Sequence, residues 1–117
     1  NEHAKPLKGA RVLVLGVAYK PDVGDVRESP SLRVMHTLAR RGAKLAFHDP
    51  FVAEVILDGR RLARTELTAK AVARADLVAL LTPHSAYDLE WLAGTAALVF
   101  DARNAFGPGP RPNLVRL

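Results

Sequence analysis

Lysine, arginine and carboxylates crowd one short stretch of this chain. Between Gly16 and Glu28 stand Lys20, Asp22, Asp25, Arg27 and Glu28, with Gly16 and Gly24 supplying backbone freedom. A lysine can meet a phosphate as a mobile point charge, and an arginine as a bidentate fork. The alternative, equally open for Lys20 and Arg27, is pairing with Asp22, Asp25 or Glu28 beside them. Tyr19 could stack on or bond a base, or be a core aromatic with a wet hydroxyl. Further on, Asp101-Ala102-Arg103-Asn104 offers an arginine that could pair with Asp101 or reach a ligand. This is the chemistry of anion binding rather than of turnover. The chain has no cysteine, and His84, after Thr82-Pro83, lacks a Ser/His/Asp arrangement. His84 therefore reads as a loop histidine rather than a general base. His3, His36 and His48 have no metal-ligand spacing, so no metal and no catalytic residue is expected.

The elements that must position these side chains can be read from periodicity. Arg11 to Leu15 is an apolar strand. The long charged loop follows, and Ser29-Pro30 starts a helix, with Ser as N-cap and Pro at the first position. That helix runs to about Arg41, where Arg40-Arg41 suits the negative end and Gly42 the position just past it. Lys44 to His48 is a second strand, and Asp49-Pro50 reads as the turn that stops it. Residues 51–64 are ambiguous: Val52 to Leu57 could form a short helical turn, and Asp58-Gly59 is a turn signal. A helix is expected from about Thr65 to Arg74, then a buried strand Leu77 to Leu81. A short helix near Asp88 to Ala93, a strand Ala96 to Phe100, an irregular crossing at residues 107–112 and an edge strand Leu114 to Leu117 complete the chain. Residues 1–9 are a tail leading in. Strands alternating with helices predict a single α/β domain over residues 1–117, Rossmann-like and three-layered, with a mainly parallel sheet. The polar strand ends would then gather on one edge, where such folds bind ligands.

Composition narrows the partner. The 117 residues are 49% apolar and 25% charged, a globular profile. No apolar run approaches the roughly 20 residues of a membrane span, and the start is polar, so no membrane partner is expected and the cytoplasm is the default compartment. The only methionine is Met35, so the chain reads as cut or processed from something longer. A net charge of +5 favours an anionic partner. The aromatics are few and not interleaved with basic residues, which favours a bound nucleotide over nucleic acid. A self-contained dinucleotide site of the usual kind is not expected. Gly16 is not followed by the Gly-x-Gly-x-x-Gly pattern, and Asp49 lies well beyond the ~20 positions at which the ribose-binding acid usually follows.

The stretch Leu15-Gly16-Val17-Ala18-Tyr19-Lys20-Pro21, then Asp25-Val26-Arg27-Glu28-Ser29-Pro30-Ser31, resembles the C-terminal domain of the UDP-glucose/GDP-mannose dehydrogenase family. The likeness continues through Gly42-Ala43, His48-Asp49-Pro50, Ala75-Asp76, Leu81-Thr82-Pro83-His84 and Asp101-Ala102-Arg103-Asn104, and so covers most of the chain in order. The last two motifs look nearest the UDP-N-acetylhexosamine 6-dehydrogenases. The resemblance implies a Rossmann-like domain that closes over the UDP part of a UDP-sugar. An N-terminal domain would hold NAD, and a central region, also absent here, would form a homo-oligomer. In the family, a cysteine carries the C6 alcohol to a carboxylate through a thiohemiacetal and a thioester, using two NAD. By motif, Tyr19, Lys20 and Arg103 match substrate-contacting residues, and Arg27 matches an arginine reaching the NAD side. Without the cysteine, this chain is expected to bind but not turn over, within an enzyme of polysaccharide precursor synthesis. The alternative is a stand-alone nucleotide-binding or regulatory module.

Overall fold

The computed structural model describes residues 7–27 and 29–116. The first strand, β1 (Arg11–Leu15), is buried from its second residue onward. Its alternating side chains feed two cores. Val12 and Val14 face one layer, with Met35 and Phe47; Leu13 and Leu15 face the other, with Val72, Leu80 and Leu92. A strand covered on both faces must be apolar throughout, which is why β1 reads as a run rather than an alternation.

Helix α1 (Pro30–Arg40) covers the first face. Ser29 caps it, its Oγ accepting the Ser31 N–H at 3.2 Å. Its far end closes as a Schellman motif, in which Gly42 N–H reaches Ala39 O at 3.0 Å and Ala43 N–H reaches Leu38 O at 3.1 Å. Gly42 takes φ +92°, the left-handed turn this motif needs. Strand β2 (Lys44–His48) then pairs parallel to β1.

Residues 54–63 differ from the helical turn considered for Val52 to Leu57. They form an antiparallel hairpin of β3 (Glu54–Leu57) and β4 (Arg60–Ala63). Asp58 and Gly59 both have positive φ, +51° and +75°, as a two-residue I′ turn requires. That geometry fixes the register, and alternation then buries Val55 and exposes Ile56. The next helix is also shorter than expected. Thr65 spends its N–H on Phe47 O at 2.7 Å, so the helix starts only after Thr68, whose Oγ1 accepts the Ala71 N–H. It is α2 (Ala69–Arg74).

The chain then returns to the other side of β1 as β5 (Leu77–Leu80). Asp88 caps α3 (Leu89–Thr95), and β6 (Val99–Asp101) and β7 (Leu114–Arg116) complete the sheet. The strand order is β2-β1-β5-β6-β7, with every pair parallel. Helix α1 and the hairpin cover one face, and α2 and α3 the other, the expected three-layer α/β arrangement. Residues 1–6 of the lead-in tail and Leu117 of the last strand lie outside the described residues. Among the described residues, no helix is long and apolar enough to cross a membrane.

Candidate functional site

The chain leaves β1 on one side for β2 and comes back on its other side as β5, so the strand order reverses there. That reversal opens a crevice at the carboxyl ends of β1 and β5, where open α/β sheets hold ligands. Gly16 marks the spot. It has φ +86°, and a Cβ there would overlap Thr82 backbone, with Thr82 Cα only 2.8 Å away.

The two residues after Gly16 are gripped by side chains from three other segments. Asp49, at the end of β2, accepts the Val17 and Ala18 N–H groups on Oδ2 at 2.9 and 3.2 Å. Ser29 Oγ donates to Val17 O at 2.7 Å, and Thr82 Oγ1 donates to Ala18 O at 2.7 Å. All three side chains are buried, as their polar groups can be only when bonded. Asp49 Oδ1 accepts the Phe51 N–H at 2.8 Å, which makes the strand-stopping turn expected at Asp49-Pro50. His84 is buried on the same carboxylate, Nε2 to Oδ2 at 2.7 Å. Its Nδ1 accepts the Asp22 N–H at 2.8 Å, so the ring proton belongs on Nε2. Both ring nitrogens of His84 are thus committed within the protein.

This clamp presents Tyr19 and Lys20 to solvent. Tyr19 is 52% exposed, which removes the core-aromatic alternative. The loop beyond closes on itself through Tyr19 N–H to Asp25 O at 2.7 Å. Arg27 follows the pairing alternative. Its Nε and Nη2 bond the two Asp25 oxygens at 3.1 and 3.0 Å. The Asp25 hydrogen bond holds the Arg27 guanidinium pKa above its ordinary value, and the same bond depresses the Asp25 carboxyl. That side chain is 88% exposed, so the pair is an open surface contact of small worth.

Arg103 does not pair with Asp101. The buried Asp101 carboxylate is filled by the N–H groups of Arg103, Ala105 and Phe106, at 3.0–3.1 Å. The exposed Arg103 side chain makes one contact to Leu81 O at 3.3 Å and lines a cleft with Asn104 and Arg116. β1 and β6 are separated by β5 alone, so their carboxyl ends stand about 10 Å apart. The structure thus brings Tyr19, Lys20 and Arg103 to one edge and leaves Arg27 on the outside of the loop.

Electrostatics nearby follow from burial. His48 Nδ1 lies 3.2 Å from the Tyr87 hydroxyl, which donates to His48 O. Burial first, and the Arg64 charge second, push the His48 pKa below its ordinary value. Burial pushes the Tyr87 phenol well up. Asp22 is depressed, chiefly by the Ser85 backbone N–H that its carboxylate accepts at 2.8 Å. Sequence reasoning missed Asp49, Ser29 and Thr82 as the clamp. The only signal was a polar residue at the end of each strand facing a glycine.

Residues 13–108 match the model of the UDP-glucose/GDP-mannose dehydrogenase family, UDP binding domain. The chain belongs to this family. Among its relatives, a UDP-glucose 6-dehydrogenase of Rhizobium meliloti (strain 1021) is 31% identical over 108 residues, covering 86% of this chain and 24% of that protein. A UDP-N-acetyl-D-mannosamine dehydrogenase of Campylobacter jejuni is 31% identical over 86 residues, covering 71% of this chain and 21% of that one. The NDP-N-acetyl-D-galactosaminuronic acid dehydrogenase of Methanosarcina mazei Go1 superposes with a TM-score of 0.76 at 26% identity, over 99% of this chain and 26% of that structure. The chain therefore spans about a quarter of the length of these dehydrogenases.

Proposed function

We propose that this chain is the UDP-binding C-terminal domain of an NAD-dependent nucleotide-sugar 6-dehydrogenase, and that its carboxyl edge holds the UDP part of the substrate. The observation that carries this is the clamped backbone after Gly16, which leaves Tyr19 and Lys20 exposed just beyond the carboxyl end of β1. A diphosphate there would meet the Lys20 ammonium, a strong charge-assisted partner. Tyr19 offers a ring face to the base or sugar, and Arg103 a fork to the far end of the ligand. The net charge of +5 draws such an anion in.

The chain's own residues do not fit a resident NAD. Asp49, the acid that ends β2, spends both oxygens on backbone N–H groups and His84, which leaves none for a ribose. Gly16 packs on Thr82 rather than opening a pyrophosphate cradle. Arg27, exposed on the outside of the loop, is the one side chain assigned to the cofactor side. NAD would be held by another domain of a longer, oligomeric, cytoplasmic enzyme, and the purified chain should produce no NADH with any UDP-sugar.

The test is calorimetric titration with UDP-glucose and a UDP-N-acetylhexosamine. Lys20→Ala and Arg103→Ala should each weaken binding about 10- to 100-fold, the worth of a hydrogen bond to a charged group. Both side chains are exposed, so thermal melts should barely move. Arg27→Ala should leave UDP-sugar affinity near wild type and, in the whole enzyme, raise the KM for NAD. Unchanged UDP-sugar affinity in both Lys20→Ala and Arg103→Ala would refute the assignment.

A further inference from the structure

Among the described residues, His84 is the side chain that links Asp49 to the tip of the Lys20 loop. Its ring is fully buried between the Phe51 ring, 5.1 Å away centre to centre, and the edge of Tyr87 at 5.8 Å. On one side Nε2 faces Asp49, and on the other Nδ1 accepts the Asp22 N–H. Asp22 has φ +65°, a left-handed conformation uncommon for a residue other than glycine. Such a residue persists only where its surroundings over-determine it. Here the anchors are His84 on the N–H, and Ser85 N–H and Oγ on the carboxylate at 2.8 and 3.0 Å. Lys20 stands two residues before this anchor and two after the clamp on Val17 and Ala18.

We propose that His84 is a positioning residue for UDP-sugar binding: its bare Nδ1 pins Asp22 and so fixes where the loop presents Lys20. This rests on the reading that Lys20 meets the diphosphate. The groups around the ring are the Asp49 and Asp22 carboxylates, the latter with Oδ1 4.0 Å from Nδ1, the Tyr87 hydroxyl with His48 behind it, and Arg64, whose guanidinium bonds the Asp49 carbonyl.

Two variants divide the link. His84→Gln keeps a donor toward Asp49 but has no acceptor at the Nδ1 position; His84→Asn keeps the acceptor for Asp22 and gives up the donor. The probe is UDP-glucose, whose diester phosphates do not titrate near neutrality, followed by calorimetry, with amide exchange of Asp22 as a second readout that needs no ligand. His84→Gln should weaken binding about 3- to 10-fold and speed Asp22 exchange, while His84→Asn stays closer to wild type. A His84→Gln protein with wild-type affinity or wild-type Asp22 exchange would overturn the proposal. If Lys20→Ala and Arg103→Ala both bind as wild type does, the UDP reading itself fails; if Lys20→Ala loses affinity and His84→Gln does not, only the positioning role fails.

Discussion

Replacing Asp49 by asparagine exchanges a single oxygen for an NH2 group, yet it should be among the most damaging single changes in this chain. The carboxylate accepts three backbone N–H groups and the His84 Nε2–H, and its exposure is 0%. Asparagine has one acceptor oxygen and one NH2 donor. With the oxygen toward Val17 and Ala18, the NH2 faces the Phe51 N–H, donor against donor. With the amide reversed, the NH2 faces Val17, Ala18 and His84 together. The better orientation leaves one N–H without a partner, worth about 1–3 kcal/mol. It also turns the remaining bonds from charge-assisted to neutral, which roughly halves them. The loss should total about 2–4 kcal/mol, a large part of the ~5–15 kcal/mol that holds a domain folded. Urea denaturation reads it directly: the midpoint should drop while the slope stays fixed, since the area exposed on unfolding does not change. A loss under about 0.5 kcal/mol, the level of an ordinary surface substitution, would mean that the clamp is not gripping Val17 and Ala18.

Two glycines with similar angles should respond very differently to alanine. At Gly59, φ +75° with nothing within 4 Å, the cost should be strain alone, about 1–2 kcal/mol. At Gly16, φ +86° against Thr82, the Cβ has no room, and the loss should exceed about 3 kcal/mol; parallel melts of the two variants compare them, and equal losses would refute the close packing. His48 makes a pH prediction. Its pKa is lowered in the fold, so the unfolded chain binds the proton more readily. Its contribution is therefore fully present above the ordinary histidine value of 6.5 and is lost as pH falls through that value towards the lower folded one. His48→Gln should flatten that part of the stability-against-pH curve, measured by denaturant midpoints.

The layer order and the polar edge at the strand ends were legible in the sequence because each rests on local signals. Apolar runs at β1 and β5, the Ser29-Pro30 cap and Gly42 are each decided by neighbours a few residues away. The hairpin was less legible. Asp58-Gly59 declared the turn, but β3 is so short that Val55 and Leu57 fit a helical turn as well as an alternation. Thr65 to Leu67 looked helical by spacing, and a single long-range bond from Thr65 to Phe47 overrode it. The clamp was hidden for the same reason. Asp49 meets Val17 from 32 positions away, and Thr82 meets Ala18 from 64, distances over which one sequence carries no visible signal. The charges alone left Arg27 open between a ligand and a nearby carboxylate, and the structure pairs it with Asp25, two residues before it.

The grip on residues 17 and 18 is made through their peptide groups, so it is blind to which side chains stand beyond it. Support and contact are thereby assigned to different positions. Asp49, Ser29 and Thr82 hold the strand end still, and Tyr19 and Lys20 carry what meets the solution. For protein engineering this is a socket with an exchangeable bit. Libraries at positions 19 and 20 can be searched for new anion preferences on an unchanged mount, whereas any library that touches position 49 would have to rebuild the mount first.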